Sequence, residues 1–293
     1  MSAAAPLRRL VRFSLNTADL GRSTQFYREA LGCTLLARER CDGASFEATF
    51  GVDGGAQRAL LGLGDERIEL LQFDRPGAAY PQALSASDLR FQHCAVVVAD
   101  IEAAYAHLAR VAGWIAISVG GPQQLPASTG GVSAFKFRDP EGHPLELLAF
   151  APARVPERWQ NRSPDSLFLG VDHSAISVAD TDRSVAFYGA LGLTVAGRSH
   201  NRGPEQARLD GVPAPEVEVT ALALSAGGPH VELLCYRDRA PAPAPAPGAL
   251  STNDIAATRL VFQGELDPQA TAAGRLLLDP DGHRLQRLDA RNG

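Results

Sequence analysis

The chain repeats itself, and a repeated unit restricts the possible folds more than any other feature of a sequence. Residues 10–32, LVRFSLNTADLGRSTQFYREALG, and residues 171–192, VDHSAISVADTDRSVAFYGALG, share an apolar start, an Ala-Asp, an Arg-Ser, a Phe-Tyr and an Ala-Leu-Gly in nearly constant register. Residues 10–17 and 171–178 alternate and are rich in strand formers, so each predicts a β-strand. Asp19 and Asp180 follow as helix-start signals. Phe26, Tyr27 and Leu31 share a helical spacing, as do Phe187, Tyr188 and Leu191, and Gly32 and Gly192 read as the glycines that end each helix.

A shorter pair of matches completes the pattern. Residues 91–100 open another strand and 101–112 predict a helix. Residues 133–150, SAFKFRDPEGHPLELLAF, form a hairpin around an Asp-Pro-Glu-Gly turn, and residues 275–288, RLLLDPDGHRLQRL, repeat it. Four units result, roughly 8–75, 88–150, 168–237 and 254–290. The fourth is cut short, because its first strand (256–263) reaches the closing hairpin through only GELDPQATAAG. The fold class is therefore α+β, built from tandem βαβββ units. The expected division is 1–150 with two units, a linker at 151–167, and 168–293 with one full and one truncated unit. The run APAPAPAP at 240–247 reads as a stiff, solvated spacer.

Composition narrows the partners. The net charge is −5, lysine is nearly absent, and the arginines are scattered, so the concentrated basic surface that nucleic acids require is missing. Cys33, Cys41, Cys94 and Cys235 have no zinc-ligand spacing, and the expectation is structural thiols in a reducing compartment. The first residues lack the apolar stretch of a secretory signal. No apolar run approaches the roughly 18 residues of a membrane span. The expected location is the cytoplasm, with neither nucleic-acid nor membrane partner.

Aligning the units puts chemistry at repeated positions. The first strands place Arg12, His93, His173 and Arg259 in equivalent positions, and the last strands do so for Glu69, Glu146, Glu232 and Gln286. Arg12 precedes Glu69 by 57 residues, His93 precedes Glu146 by 53, and His173 precedes Glu232 by 59, whereas Arg259 precedes Gln286 by only 27. A carboxylate in an apolar strand is costly unless something pairs with it.

At these residues the sequence resembles the vicinal oxygen chelate superfamily, which includes glyoxalase I, extradiol ring-cleavage dioxygenases and bleomycin-resistance proteins. The resemblance rests on the strand–AD–RS–FY–LG pattern, the DPEGH and DPDGH hairpins and the -LELL- strands, and it covers nearly the whole chain. It implies that two units pair edge to edge into a cup, each supplying one ligand from its first strand and one from its last. Carried onto this chain, pairing units two and three gives a metal set of His93, Glu146, His173 and Glu232, with Glu146 or Glu232 doubling as catalytic base. Units one and four would give Arg12, Glu69, Arg259 and Gln286, where permanently charged guanidiniums repel a cation. The other pairing, one with two and three with four, resembles the dioxygenases. It would leave Glu69, His93 and Glu146 as a three-ligand site with Arg12 intruding.

Imidazole and carboxylate together suit a divalent ion such as Ni, Zn, Fe, Mn or Co. The expected function is a metal-dependent, glyoxalase-like lyase or isomerase acting on a small oxygen-chelating substrate, in a monomer or homodimer. An extradiol-type dioxygenase and a non-catalytic binding protein are the alternatives. His143 and His283 read as turn residues and His107 as a helix residue. His200 reads as part of a polar loop running through Asn201, Arg202 and residues 203–206. His230 shares the Glu232 face and is a candidate pocket residue. Tyr80, Trp114 and Trp159 have no motif behind them.

Overall fold

A computed structural model describes residues 6–82, 84–160, 166–237, 250–264 and 276–289. The first unit contains β1 (Leu7–Asn16), α1 (Leu20–Leu31), β2 (Thr34–Cys41), α2 (Ala44–Phe50), β3 (Ala56–Leu63) and β4 (Glu66–Phe73). The second contains β5 (Gln92–Val98), α3 (Ile101–Leu108), the short β6 (Ile115–Ala116) and β7 (Gln123–Gln124), then β8 (Ser133–Arg138) and β9 (Pro144–Ala149). After α4 (Glu157–Gln160) come β10 (Phe168–Ser177), α5 (Thr181–Ala190), β11 (Thr194–Arg202), α6 (Pro204–Asp210), β12 (Glu216–Ala223) and β13 (His230–Tyr236). The fourth unit shows β14 (Arg259–Gly264), β15 (Leu276–Leu278) and β16 (Arg284–Asp289). Its connecting segment and the 240–247 spacer lie outside the described residues.

The helix signals act as read. Asp19 and Asp180 cap α1 and α5, and Asp100, not singled out in the sequence, caps α3 in the same way, each side chain accepting a backbone N–H from the first turn. Gly32 adopts the left-handed conformation at the end of α1, with φ 66°. Three readings need correction. The helix predicted at 101–112 stops at Leu108. His200 and its polar neighbours are not a loop: β11 runs on to Arg202, paired residue by residue with β12. Residues 204–210 form α6, which opens on Pro204, a residue suited to a first helical turn.

Two mixed, curved sheets result. The nine-stranded sheet runs β11-β12-β13-β10-β5-β9-β8-β6, with β7 pairing β8, and the seven-stranded sheet runs β15-β16-β14-β1-β4-β3-β2. Units two and three therefore share one sheet through antiparallel β5 and β10, and units one and four share the other through β1 and β14. On one face of each sheet the side chains join α1, α3 and α5 in a large apolar cluster that includes Phe26, Tyr27, Phe135, Phe137 and Tyr188. Burying each such aromatic stabilises the fold by about 1.5–3 kcal/mol. The opposite faces are the cups.

The DPxGH turns link sequential units. Asp139 accepts the backbone N–H of Glu141 and His143 and the hydroxyl of Tyr27, while His143 Nε2 meets Asn16 O at 2.7 Å. Asp279 repeats this with Asp281, His283 and Tyr188, and His283 Nε2 meets Ser177 O at 2.9 Å. The Phe-Tyr and DPxGH motifs are thus two halves of one clasp, and both histidines are structural. Among the described residues, no helix is long and apolar enough to cross a membrane.

Candidate metal centre

Strand register brings the central repeat positions together. In the β5–β10 pair His93 lies opposite Ala175 and His173 opposite Ala95. Glu146 on β9 is registered with Ala95, and Glu232 on β13 with Ala175. The four side chains consequently rise from neighbouring points on one sheet face. His93 Nε2 is 2.7 Å from Glu146 Oε2, and the two imidazole centroids are 5.8 Å apart. Ligand atoms of His93, Glu146 and His173 all lie within 4.8 Å of one another. Glu232 stands a step outside this trio, its Oε2 3.4 Å from His173 Nε2.

Charge at the site is lopsided. Burial alone would push the Glu146 carboxyl up, but Lys136 and then His93 outweigh it and hold it at about 2. Burial is likewise overcome at Glu232 by His173 and His230, and at Asp172 by its hydrogen bond to His173, leaving both at about 2. Burial, helped by the Lys136 charge, pushes His93 below its ordinary value and keeps it neutral. His173 goes the other way: Glu232 and Asp172 overcome burial and lift it to about 9.

A divalent ion fits these residues. His93 is 2 % exposed, and apart from the 2.7 Å approach of Glu146 Oε2 to Nε2 its ring nitrogens have no polar partner among the described residues. Its one close polar neighbour is Glu146, itself a candidate ligand, so this imidazole is buried, neutral and unclaimed by any group outside the set, the state a metal ligand needs. Three carboxylates, Glu146, Glu232 and Asp172, surround the trio and supply the negative charge that a cation would balance.

Several functional side chains were not visible in the sequence. Asp172 Oδ2 lies 3.1 Å from His173 Nδ1, which turns Nε2 toward the trio; metal-binding histidines are commonly oriented by such a carboxylate. Trp159 on α4, 3 % exposed, donates its indole N–H to the other Asp172 oxygen at 3.1 Å. Lys136 Nζ is 4.0 Å from Glu146 Oε2 and bonds Asp210 Oδ1 at 2.7 Å. His230, as read, lies on the pocket side: its Nε2 is 3.4 Å from Glu232 Oε1. Strand pairing could have exposed Lys136, which sits opposite Glu146 across the β8–β9 hairpin. Asp172 is a neighbour of His173 that simple alternation assigns to the wrong face, and Trp159 comes from the linker, so neither left a periodic signal.

The cup around these groups is a cavity of about 230 Å³. Its walls include Leu125, Leu148, Leu209 and Val217, and its polar side includes Ser199 and Asn201.

In the outer sheet the equivalent positions hold different chemistry. Arg12 Nη1 and Arg58 Nη1 donate to Glu69 Oε1 at 3.0 and 3.3 Å. Arg259 is wholly buried, donates to Ser14, Asn16 and Thr252, and lies over the Phe50 ring. Burial lowers it to about 10, still far above neutrality.

Comparison with known proteins bears on this geometry. The family described as Glyoxalase/Bleomycin resistance protein/Dioxygenase superfamily matches residues 9–147 and 170–286. Glyoxalase I from Zea mays superposes with a TM-score of 0.59 at 16 % identity, covering 97 % of this chain and 93 % of its own. A putative dioxygenase from Bacillus subtilis superposes with a TM-score of 0.55 at 11 % identity, covering 99 % and 87 %. At these identities the likeness speaks for the fold alone. No curated protein sequence matches the chain.

Proposed function

The chain belongs to the Glyoxalase/Bleomycin resistance protein/Dioxygenase superfamily, and from that premise we propose that its central cup is a divalent-metal site of a glyoxalase-like lyase or isomerase. The observation that carries this reading is the meeting of His93, Glu146 and His173 within 4.8 Å, with Glu232 beside them. Those four side chains would hold the ion, and Ni, Zn, Fe, Mn and Co all suit such a set. When bound, the ion supplies Lewis acidity to vicinal oxygens of a substrate.

The chain's own groups do the rest. Asp172 and Trp159 fix the His173 ring, and Lys136 keeps Glu146 ionised. Glu232, partly open to the cup at 23 % side-chain exposure and outside the trio, is the better placed of the two catalytic glutamates to carry a proton. The cavity of about 230 Å³ is smaller than the roughly 300–1,000 Å³ of pockets for drug-sized ligands, so the substrate is small. We place the protein in the cytoplasm, acting on a small molecule as a monomer or homodimer, without nucleic-acid or membrane partners.

A second reading draws on the same trio. Two imidazoles and one carboxylate with Glu232 standing off form the pattern of Fe(II) oxygenases. The test uses protein loaded separately with Ni(II), Zn(II) and Fe(II). In D2O, hydroxyacetone and pyruvate are followed by proton NMR, and oxygen uptake is followed with catechol. Exchange of the carbon-bound protons that is lost in Glu232→Gln supports the lyase or isomerase. Oxygen uptake by the Fe(II) form alone supports the dioxygenase, and neither activity in any form contradicts both.

A further inference from the structure

Lys136 is the only lysine in the chain; every other basic side chain except the histidines is arginine. Lysine is ordinarily a surface residue, yet this one is 4 % exposed and lines the central cup. Its place is built with care. Asp210, also buried, comes from α6, takes the ammonium on Oδ1 and is held on Oδ2 by the Tyr236 hydroxyl at 2.9 Å and the Gln206 amide at 2.8 Å. Three of the four acceptor positions of Asp210 are thus filled from within the protein.

The ammonium has three donors, and Asp210 uses one. Glu146, the next acceptor, is 4.0 Å away, beyond hydrogen-bond length. Two donors remain inside a cavity that also presents the His93–Glu146–His173 trio. Because Lys136 faces the same Glu146 oxygen that lies 2.7 Å from His93 Nε2, one small molecule can touch both the trio and the ammonium. Paired with the Asp210 carboxylate at 2.7 Å, the side chain acts as a charge and hydrogen-bond donor, not as an amine nucleophile.

We propose that Lys136 is the substrate-binding cation of the central cup, and that the substrate is a small acid with vicinal oxygens, a 2-oxo or 2-hydroxy carboxylate whose carboxylate it receives. This rests on the central cup being the ligand site and names what that site takes.

The probes are oxalate and its uncharged counterpart oxamide, titrated into the Zn(II)-loaded full chain by calorimetry. Zn(II) affinity is measured first, so that loss of the metal site is recognised separately from loss of Lys136 function. With 15N-lysine labelling, the single lysine gives one side-chain signal that reports contact directly. Oxalate should bind at least tenfold more tightly than oxamide and shift that signal. The double variant Lys136→Met with Asp210→Asn, which removes the Asp210 charge along with the ammonium, should lose at least tenfold in oxalate affinity when measured on the Zn(II)-saturated protein. If oxamide binds as well as oxalate, or the lysine signal stays still on oxalate binding, the proposal fails even should the double variant not fold. A wild-type chain that takes up no metal would instead sink the metal-site reading on which the proposal stands.

Discussion

The two cups share one frame and differ at the residues that frame displays. Strand register makes His93 equivalent to Arg12, His173 to Arg259, Glu146 to Glu69 and Glu232 to Gln286. In the central cup, carboxylates outnumber fixed cations and a buried imidazole has only a candidate ligand, Glu146, for a polar neighbour. In the outer cup the chain supplies its own cations: Arg12 and Arg58 neutralise Glu69, and Arg259 fills the space beside Phe50 and Phe73. The fold therefore displays four positions per cup, and only their chemistry decides whether a cup calls for an ion or closes on itself.

That contrast can be broken most severely at the imidazoles. His93→Ala and His173→Ala should each weaken metal binding by at least about a hundredfold, since each removes a first ligand, while Arg12→Ala leaves metal affinity unchanged by calorimetry. Loss in His93→Ala alone would point instead to the sequential pairing of units.

The outer cup should answer in stability, not metal. Arg259→Ala deletes a large buried side chain and strands Asn16 Oδ1, so it should cost about 3 kcal/mol in urea unfolding of the metal-free protein. Its metal affinity should equal that of the wild type. A smaller effect sharpens the central cup from behind. Trp159→Phe keeps the ring but releases Asp172, and should lower metal affinity about tenfold; the ring 15N signals of His173 should show a changed tautomer balance.

The gentlest lever is pH. In the metal-free protein His173 is lifted to about 9, so near neutrality it holds a proton that an incoming ion must displace. Metal affinity should therefore rise with pH, by at most about tenfold per unit for one displaced proton, and level off above about pH 9. His173→Ala removes this dependence with the ligand.

Much of this was legible in the sequence, because repetition encodes it. The unit boundaries, the caps at Asp19 and Asp180, the clasp motifs and the four central side chains all recur at fixed spacing, and the unequal chemistry of the units pointed to the observed sheet pairing. What did not recur could not be seen. Asp172 and Trp159 act through contacts made once: a β10 carboxylate turned onto its neighbour His173, and a linker-helix indole that donates to that carboxylate. Asp210 reaches Lys136 only because α6 folds over a neighbouring unit. The run from His200 looked like loop because its residues are polar, yet β12 offers a full set of backbone partners, and that pairing overrides local composition.

The most direct measurement is the metal content of the purified full chain after saturation with Ni(II) or Zn(II) and removal of excess ion, read by elemental analysis. One cup equipped for an ion and one equipped with its own cations require one metal per chain in the wild type, one in Arg12→Ala, and none in the double variant His93→Ala with His173→Ala. Two ions per chain, or an ion retained when both imidazoles are gone, would contradict that division.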